Sequence, residues 1–267
     1  MPFTANLLLK RYGTHALITG ASEGIGRAFA WQLAKEGMNL ILVARREQML
    51  AELASEIIQK YQVECHVLKI DLAIELEVDR LIDMTQAFDI GVVVCNAGFG
   101  LAGNFLDNDV NTEMQMIQVN CMALTKMTHH FGRQLKKRGR GAVFLLSSIV
   151  ATQGIARSAN YAATKAYVLS LGEALQVEWR DSGVDLLIVA PGPVDTGFSK
   201  RSKMKFGQTT TPELVAKESI QSIGQKSIVH PGGLAKLMKL GIAMTPRFIR
   251  VKIISLMMRG MTKELPQ

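Results

Sequence analysis

Short apolar runs alternate along the chain with longer stretches in which apolar residues recur every three or four positions. Such runs are typical of parallel strands buried on both faces, and the longer period is typical of amphipathic helices. The predicted strands are His15–Thr19, Leu40–Ala44, Glu64–Ile70, Gly91–Cys95, Ala142–Ser147, Asp185–Ala190 and a short seventh at Ser227–His230. The predicted helices cover residues 24–37, 47–60, 75–87, 111–137, 160–181 and 212–224.

This alternation predicts an α/β fold with one doubly wound parallel sheet and helices on both of its faces. No linker or repeat divides the 267 residues. We therefore expect a single domain, in which residues 1–231 form the α/β unit and residues 232–267 form a C-terminal helical extension. Thr245 and Pro246 have the residue types of an N-cap and a first helical position, so a last helix is expected near 246–259.

The net charge of +8 is concentrated in two late segments. Residues 232–267 hold seven Lys or Arg and one Glu, and residues 196–211 hold four cations and no acid. A local excess of this kind is typical of a solvated basic surface, and we expect no nucleic-acid partner. Three cysteines, Cys65, Cys95 and Cys121, lack metal-ligand spacing. They predict reduced thiols and no metal site.

The chain shows no signal peptide at its beginning and no apolar run long enough to span a bilayer. Together with the reduced cysteines, this predicts a cytoplasmic protein.

The first predicted strand runs into a glycine-rich turn with the spacing G-x-x-x-G-x-G. Glycine lets a backbone turn sharply and approach a phosphate, and the helix that follows points free N–H groups at the same place. The position between a strand and a helix predicts a Rossmann-type dinucleotide site, although the spacing differs from the G-x-G-x-x-G fingerprint. The cofactor-binding residues expected here are Gly20, Ser22, Glu23, Gly24, Ile25 and Gly26.

Arg45 and Arg46 follow the second strand, where an acid would hold a ribose hydroxyl and arginine accommodates a 2′-phosphate. We therefore predict NADP(H) rather than NAD(H), although Glu23 stands in the glycine turn and slightly weakens this preference. Which arginine contacts the phosphate stays open. Asp71 and Leu72 end the third strand, near the expected adenine, and a small turn that ends the fourth lets backbone lie against a cofactor. The residues of that turn are Asn96, Ala97 and Gly98.

Tyr161 and Lys165 are four residues apart in a predicted helix, so their side chains share one face. A nearby ammonium favours the phenolate and lowers the tyrosine pKa from its ordinary value of about 10. The pair predicts a proton donor that works near neutral pH.

Together these segments resemble the classical short-chain dehydrogenase/reductase family. The matching segments keep the family's order over roughly residues 14–197: Thr19–Gly26, Asp71, Asn96–Gly98, Asn120, Ser148, Tyr161-x-x-x-Lys165 and Pro191–Thr196. Pro231-Gly232-Gly233 and the basic, apolar tail are similar, less specifically, to a bacterial subgroup of ketoacyl and hydroxysteroid dehydrogenases.

The resemblance implies a catalytic tetrad of Asn120, Ser148, Tyr161 and Lys165. In it, Tyr161 exchanges a proton with the substrate oxygen and Ser148 hydrogen-bonds that oxygen. Lys165 lowers the Tyr161 pKa and binds the nicotinamide ribose, and Asn120 holds a water behind it. The implied nicotinamide segment comprises Pro191, Gly192, Val194 and Thr196.

The residues expected to contact substrate are Ser148, Phe99, Leu101, Gly154, Val194 and Phe198. The resemblance identifies residues 197–211 as a substrate lid, which here combines Phe198, Met204 and Phe206 with Lys200, Arg201, Lys203 and Lys205. Apolar groups beside positive charge suit an acyl thioester of coenzyme A or of an acyl carrier protein. A solvated loop without that role is the alternative.

Residues 234–261 place methionines among cations. Three interpretations compete, in this order: the segment covers the substrate pocket, packs against another subunit, or makes peripheral contact with a membrane. The resemblance also implies a homodimer or homotetramer formed through the helices near 111–137 and 160–181.

The predicted function is an NADP(H)-dependent oxidoreductase that interconverts a carbonyl and a secondary alcohol by hydride transfer. We expect the reducing direction and an apolar small-molecule substrate of 3-oxoacyl or steroid-like type. A catalytically silent NADP-binding sensor or scaffold is the main alternative, although such a protein would be expected to have lost Tyr161 or Lys165. A sugar-nucleotide epimerase is disfavoured by the glycine spacing and by the lack of a separate substrate domain.

Overall fold

The computed structural model describes residues 7–202, 204 and 207–262. Its centre is a seven-stranded sheet in the order β3-β2-β1-β4-β5-β6-β7, and every neighbouring pair is parallel. The strands are β1 His15–Thr19, β2 Asn39–Ala44, β3 Cys65–Lys69, β4 Ile90–Cys95, β5 Gly141–Leu146, β6 Val184–Val189 and β7 Ile228–Val229. All seven predicted strands, and the doubly wound single-domain fold, are confirmed.

The helices are α1 Leu7–Tyr12, α2 Gly24–Lys35, α3 Glu47–Tyr61, α4 Glu75–Met84, α5 Val110–Ile117, α6 Leu124–Arg138, α7 Ala159–Glu178, α8 Phe198–Ser202, α9 Pro212–Ser222, α10 Gly233–Met244 and α11 Arg247–Met261. Short 3₁₀ turns cover Phe105–Asp107 and Ile149–Thr152. None of the described helices is long and apolar enough to cross a membrane.

The structure corrects the predicted helices in three places. The single helix expected over 111–137 is α5 and α6 joined by a π-helical segment, Gln118–Ala123. Helices α1 and α8 were not predicted, because they are short, whereas α10 lies within the predicted C-terminal helical extension, for which only the last helix was given bounds. Pro246 itself is the N-cap of α11, so the helix begins one residue later than the Thr245-Pro246 pattern predicts.

Both faces of the sheet are buried, which explains the unbroken apolar runs of its strands. Successive side chains of a strand point to opposite faces. Leu17 accordingly belongs to one core cluster and Ile18 to the other. Helices α2, α3 and α9 cover the Ile18 face, and α4, α6 and α7 cover the Leu17 face.

A third, smaller cluster lies away from the sheet. It combines Ala102, Ile155, Ala162, Met204 and Met258, and it joins the lid and α11 to the first turn of α7. The C-terminal extension therefore packs close to Tyr161, the predicted proton donor, since Ala162 directly follows it in sequence.

The strand order reverses beside β1, because β2 and β3 lie on one side of it and β4 to β7 on the other. Open parallel sheets bind ligands in the crevice at such a switch point, outside the carboxyl ends of the strands. The turns after β1 and β4 both open onto that crevice.

Candidate active site

The turn after β1 has backbone that only glycine accommodates. Gly24 has a φ of +56°, in the left-handed region that other residues rarely adopt. A Cβ on Gly26 would lie 2.3 Å from the carbonyl oxygen of Gly20. The chain therefore folds back tightly on itself here and exposes backbone to a ligand.

The turn also leaves helix α2 open to an anion. Glu23 is the N-cap of α2, but its side chain accepts no capping hydrogen bond in the described structure. Its carboxylate instead pairs with Arg46, at 3.0 Å, and with Arg201 of α8. The N–H groups of the first turn, which begins at Gly24 and Ile25, are therefore left for a ligand, and this arrangement fits a dinucleotide phosphate.

Contacts between the ends of β1 and β4 fix the floor of the crevice. The amide of Asn96 donates from Nδ2 to the carbonyl oxygen of Thr19, at 2.9 Å. The Thr19 hydroxyl accepts from the backbone N–H groups of Asn96 and Ala97, at 3.1 and 3.0 Å. Thr19 stands in the glycine motif, but its cross-strand role could not be predicted, because β1 and β4 are far apart in sequence. Gly98 lies further along, facing Asn120 and Lys165.

The two arginines after β2 occupy different surroundings. Arg46 donates to the Ser22 hydroxyl at 2.8 Å and also pairs with Glu23, so its charge is already compensated. Arg45 is 71% exposed and makes a longer contact of 3.8 Å with Asp71. Asp71 also accepts a hydrogen bond from the N–H of Ala73, and the Leu72 side chain is buried in the core. Arg45 is therefore the freer guanidinium at this edge.

Tyr161 and Ser148 lie side by side at the carboxyl edge of β5. Tyr161 stands in the first turn of α7, and Ser148 follows β5 as the N-cap of the 3₁₀ turn. Burial raises the pKa of Tyr161 to about 12, and a hydrogen bond with Ser148 opposes part of that rise. The prediction of a lowered Tyr161 pKa is thus wrong for this arrangement, because desolvation outweighs the effect of any neighbouring charge.

Lys165 lies one turn beyond Tyr161 and is buried. Its ammonium donates to the carbonyl oxygen of Leu146 at 2.7 Å and lies 5.8 Å from the centre of the Tyr161 ring. Burial lowers the pKa of Lys165 to about 8. The Ser147 hydroxyl donates to the backbone carbonyl of Lys165, so the serine beside Ser148 anchors α7 to the end of β5.

Asn120 lies within the π-helical segment, and its side chain is fully engaged. Its Oδ1 accepts from the N–H of Phe99 at 3.1 Å, and its Nδ2 donates to the carbonyl of Phe99 and to the Thr164 hydroxyl. Widened helical turns of this kind often occur at functional sites. The arrangement ties the turn after β4 to α7 directly behind Lys165.

The segment after β6 contacts both Ser148 and the glycine turn after β1. Pro191 accepts from the Ser148 hydroxyl at 3.5 Å and from the N–H of Ile149. The Thr196 hydroxyl accepts from the N–H of Phe198, and its methyl group faces Gly24. Gly192 lies against Ala235 of α10, and Val194 forms an isolated bridge with Thr210.

Besides Ser148, Phe198 is a predicted substrate residue that the structure places against Tyr161. Its ring lies 5.4 Å from that of Tyr161, centre to centre. Both rings pack against Gly100, because a Cβ there would lie 2.7 Å from Phe198 and 3.1 Å from Tyr161. Phe99 is half-buried beside Asn120, Leu101 accepts a hydrogen bond from Ser158, and Gly154 is exposed with open space around it. Lys203, Lys205, Phe206 and the side chain of Lys200 lie outside the described residues.

Gln153 is a candidate functional residue that the sequence did not single out. It is buried, and its Oε1 accepts from the Thr152 hydroxyl. Its Nε2 is enclosed yet has no hydrogen-bond partner among the described residues. A buried donor without an acceptor is costly, so a ligand oxygen is a natural partner for it. A lone glutamine in a loop gives no sequence signal of this kind.

Comparison with known proteins decides the family. The model of the short chain dehydrogenase family matches residues 14–205. The chain belongs to this family. Short-chain dehydrogenases are oxidoreductases that use a nicotinamide cofactor to interconvert carbonyls and alcohols. The chain is 33% identical to a 7β-hydroxysteroid dehydrogenase from Clostridium sardiniense over 229 residues, which covers 84% of this chain and 88% of that protein.

Other short-chain dehydrogenases show the same likeness. The human very-long-chain 3-oxoacyl-CoA reductase is 31% identical over 246 residues, covering 91% of this chain and 78% of its own length. A solved 7β-hydroxysteroid dehydrogenase superposes with a TM-score of 0.86 at 29% identity, over 92% of this chain and 98% of that one. A Sphingobium yanoikuyae short-chain dehydrogenase in complex with NADPH gives 0.78 at 25% identity, over 86% and 93%.

Proposed function

We propose that this protein is an NADPH-dependent reductase that converts an apolar ketone into a secondary alcohol, with Tyr161 as the proton donor. The observation that carries the proposal is the grouping of Ser148, Tyr161 and Lys165 at the carboxyl edge of β5, where Lys165 faces Gly98 of the turn after β4. The bound cofactor supplies the hydride that adds to the carbonyl carbon.

The residues of the site supply the rest of the chemistry. Ser148 donates a hydrogen bond that positions the carbonyl oxygen, and Tyr161 donates its phenolic proton to that oxygen as negative charge develops on it. A Tyr161 pKa of about 12 keeps the proton in place at neutral pH. Lys165, close beneath the Tyr161 ring, stabilises the phenolate that remains, because the positive charge of its ammonium compensates the negative charge of the phenolate.

The preference for NADPH rests on Arg45. It stands at the end of β2, is largely exposed, and has only a long contact with Asp71. A 2′-phosphate would accept hydrogen bonds from this free guanidinium, whereas Arg46 is held by Ser22 and Glu23. The NADPH complex of the Sphingobium relative supports the same choice.

The substrate side favours a large apolar molecule with one polar group. Phe198 and the cluster of Ile155, Met204 and Met258 provide apolar surface next to Tyr161. Gln153 provides one unpartnered buried donor. Relatives named for hydroxysteroids and for 3-oxoacyl-CoA both fit this description. Arg201 of the lid is already paired with Glu23, so an anionic handle on the substrate would depend on the other lid cations, Lys200, Lys203 and Lys205.

A screen of NADPH oxidation tests the function directly. The panel should contain 7-oxosteroids, 3-oxoacyl thioesters of increasing chain length, and small ketones of similar reactivity. We expect turnover that rises with apolar size, and an anionic conjugate should have a lower KM than its neutral counterpart. An active protein that accepts only small polar ketones would contradict the substrate proposal. NADPH binding without turnover of any carbonyl would favour the sensor or scaffold function.

We propose self-association through α5 to α7, because apolar side chains lie exposed there. They are Met114, Met122, Tyr167 and Val177. Light scattering of the parent and of Val177→Glu tests this, and a monomeric parent would contradict it.

A further inference from the structure

Three metal-ligating side chains meet at the amino edge of the sheet, at the opposite ends of the strands from the proposed active site. His15 is the first residue of β1, and Glu64 and His66 lie at the start of β3. Their ligand atoms all lie within 4.8 Å of one another. None of the three takes part in the proposed reaction.

The register of the sheet brings these residues together. Ile41 of β2 pairs with Leu17 on one side and with His66 on the other. Side chains two residues apart in a strand share a face, so His15 lies on the face of Leu17, and Glu64 on the face of His66. The Asn39 side chain fixes this approach, because its Oδ1 accepts from the N–H of Glu64 at 3.0 Å.

The surroundings hold both imidazoles in place but leave Nε2 of His66 without a hydrogen bond among the described residues. The Phe88 ring packs against both, with ring centres 4.5 Å from His66 and 5.2 Å from His15. The Thr14 hydroxyl lies 2.9 Å from Nδ1 of His15 and orients that ring. Nε2 of His66 is shielded from solvent and has no hydrogen-bond partner in the described part of the chain, and the nearest Glu64 oxygen is 3.7 Å away.

We propose that His15, Glu64 and His66 form a binding site for a divalent transition-metal ion, with Zn²⁺ as the best match. Two imidazoles and one carboxylate are a donor set that Zn²⁺ prefers, and water would complete a tetrahedron. Bonds of about 2 Å require ligand atoms roughly 3.3 Å apart, so groups that now lie within 4.8 Å must approach by up to about 1.5 Å. Glu64 can move that far, because its side chain is 71% exposed.

Such an ion would link β1 to the edge strand β3 across β2. Since the unfolded chain does not hold these residues together, binding would stabilise the fold. The reaction site would be unaffected, because it lies at the other end of the strands.

Calorimetry with Zn²⁺ on the full chain, without a histidine tag and after chelator treatment, tests the proposal. We expect one equivalent to bind, and a hundredfold excess over Kd should raise Tm by about 5 °C or more. His66→Asn should abolish both effects. Glu64→Gln changes an exposed side chain, so it should fold normally and bind at least about tenfold more weakly with one ligand lost.

His129→Asn is the matched control, because His129 is an exposed histidine on α6 and is not one of the three clustered ligands. It should bind Zn²⁺ like the parent. The proposal is overturned if the parent binds no ion at micromolar concentrations, which would leave His15 and His66 as an aromatic cluster with Phe88. It is equally overturned if Glu64→Gln and His66→Asn both bind like the parent, or if His129→Asn alone removes binding.

Discussion

The proposed cofactor side and the proposed substrate side of the candidate site are built in different ways. On the cofactor side, the backbone after β1 and β4 forms the surface, and residues such as Gly24 and Asn96 act through local turns and neighbouring strands. On the substrate side, side chains from the lid and α11 form the surface, and Met204 and Met258 meet Ala162 from distant parts of the sequence. A surface made of backbone would hold one cofactor in one position. A surface made of side chains can change its shape through single substitutions.

The two sides are nevertheless joined by one ion pair. Glu23 of the glycine turn binds both Arg46 and Arg201, and Arg201 belongs to α8 in the lid. Substitutions on one side, on the other, or at the proposed catalytic residues between them therefore test how independently the two sides act.

The largest effect is expected from Tyr161→Phe, which removes the proton donor at the boundary of the two sides. General acid catalysis contributes about 10²–10⁴-fold, so kcat should fall by about that factor while NADPH binding persists. Tyr167→Phe is the matched control on the same helix, since its hydroxyl contacts Thr125 on the surface, and it should keep near-parent activity. Parent-level turnover by Tyr161→Phe would refute the assigned mechanism.

Arg45→Ala should affect the cofactor side alone. A charged hydrogen bond contributes about 1.5–3 kcal/mol, so the Kd for NADPH should rise about 10–100-fold while the Kd for NADH stays unchanged. Fluorescence titration with both cofactors measures this. Arg46→Ala is the comparison variant, and a larger loss there than in Arg45→Ala would transfer the phosphate contact to Arg46.

The buried ammonium of Lys165, which lies between the two sides, should make the stability of the protein depend on pH. Because the pKa of Lys165 is lowered to about 8, the unfolded chain binds a proton that the folded chain lacks between that pH and the ordinary lysine pKa. Stability from this group therefore rises with pH across that window and is lost as pH falls through about 8. From pH 7.5 to 9.5 the parent should gain about 1–2 kcal/mol relative to Lys165→Met. Urea unfolding at both pH values measures it, and a constant difference would contradict the lowered pKa.

The smallest effect is expected from Met258→Ala, which acts on the substrate side. Loss of this buried side chain opens the cluster over the site, so KM for a large apolar ketone should rise by about tenfold or less, as expected for a few lost methylenes. The Kd for NADPH should not change. Leu256→Ala is the control, because Leu256 is on the same helix and exposed. A parallel change in NADPH affinity would mean that the two sides are coupled, with the Glu23–Arg201 pair as the route.

Predictions that depend on patterns within a few residues agree with the structure better than predictions that depend on distant contacts. The strands follow from patterns within a few residues, and the structure confirms them. The glycine turn has an equally local pattern and forms a tight turn as expected, while its role in cofactor binding stays a prediction. The single helix over 111–137 was wrong because a π-helical segment keeps helical periodicity almost unchanged. The lowered Tyr161 pKa was wrong because burial, which depends on the whole fold, acts more strongly than the lysine four residues away.

The alternating fold, the position of the glycine turn and the Tyr161–Lys165 pair can be predicted from the sequence, because each depends on contacts between near neighbours. Which groups face one another across long distances in sequence follows from the tertiary structure. It leaves Arg45 freer than Arg46, sets α11 over the lid, encloses Gln153, and brings His15 beside His66. Such contacts depend on sheet register and on packing between distant segments, which residue patterns along one chain do not encode locally.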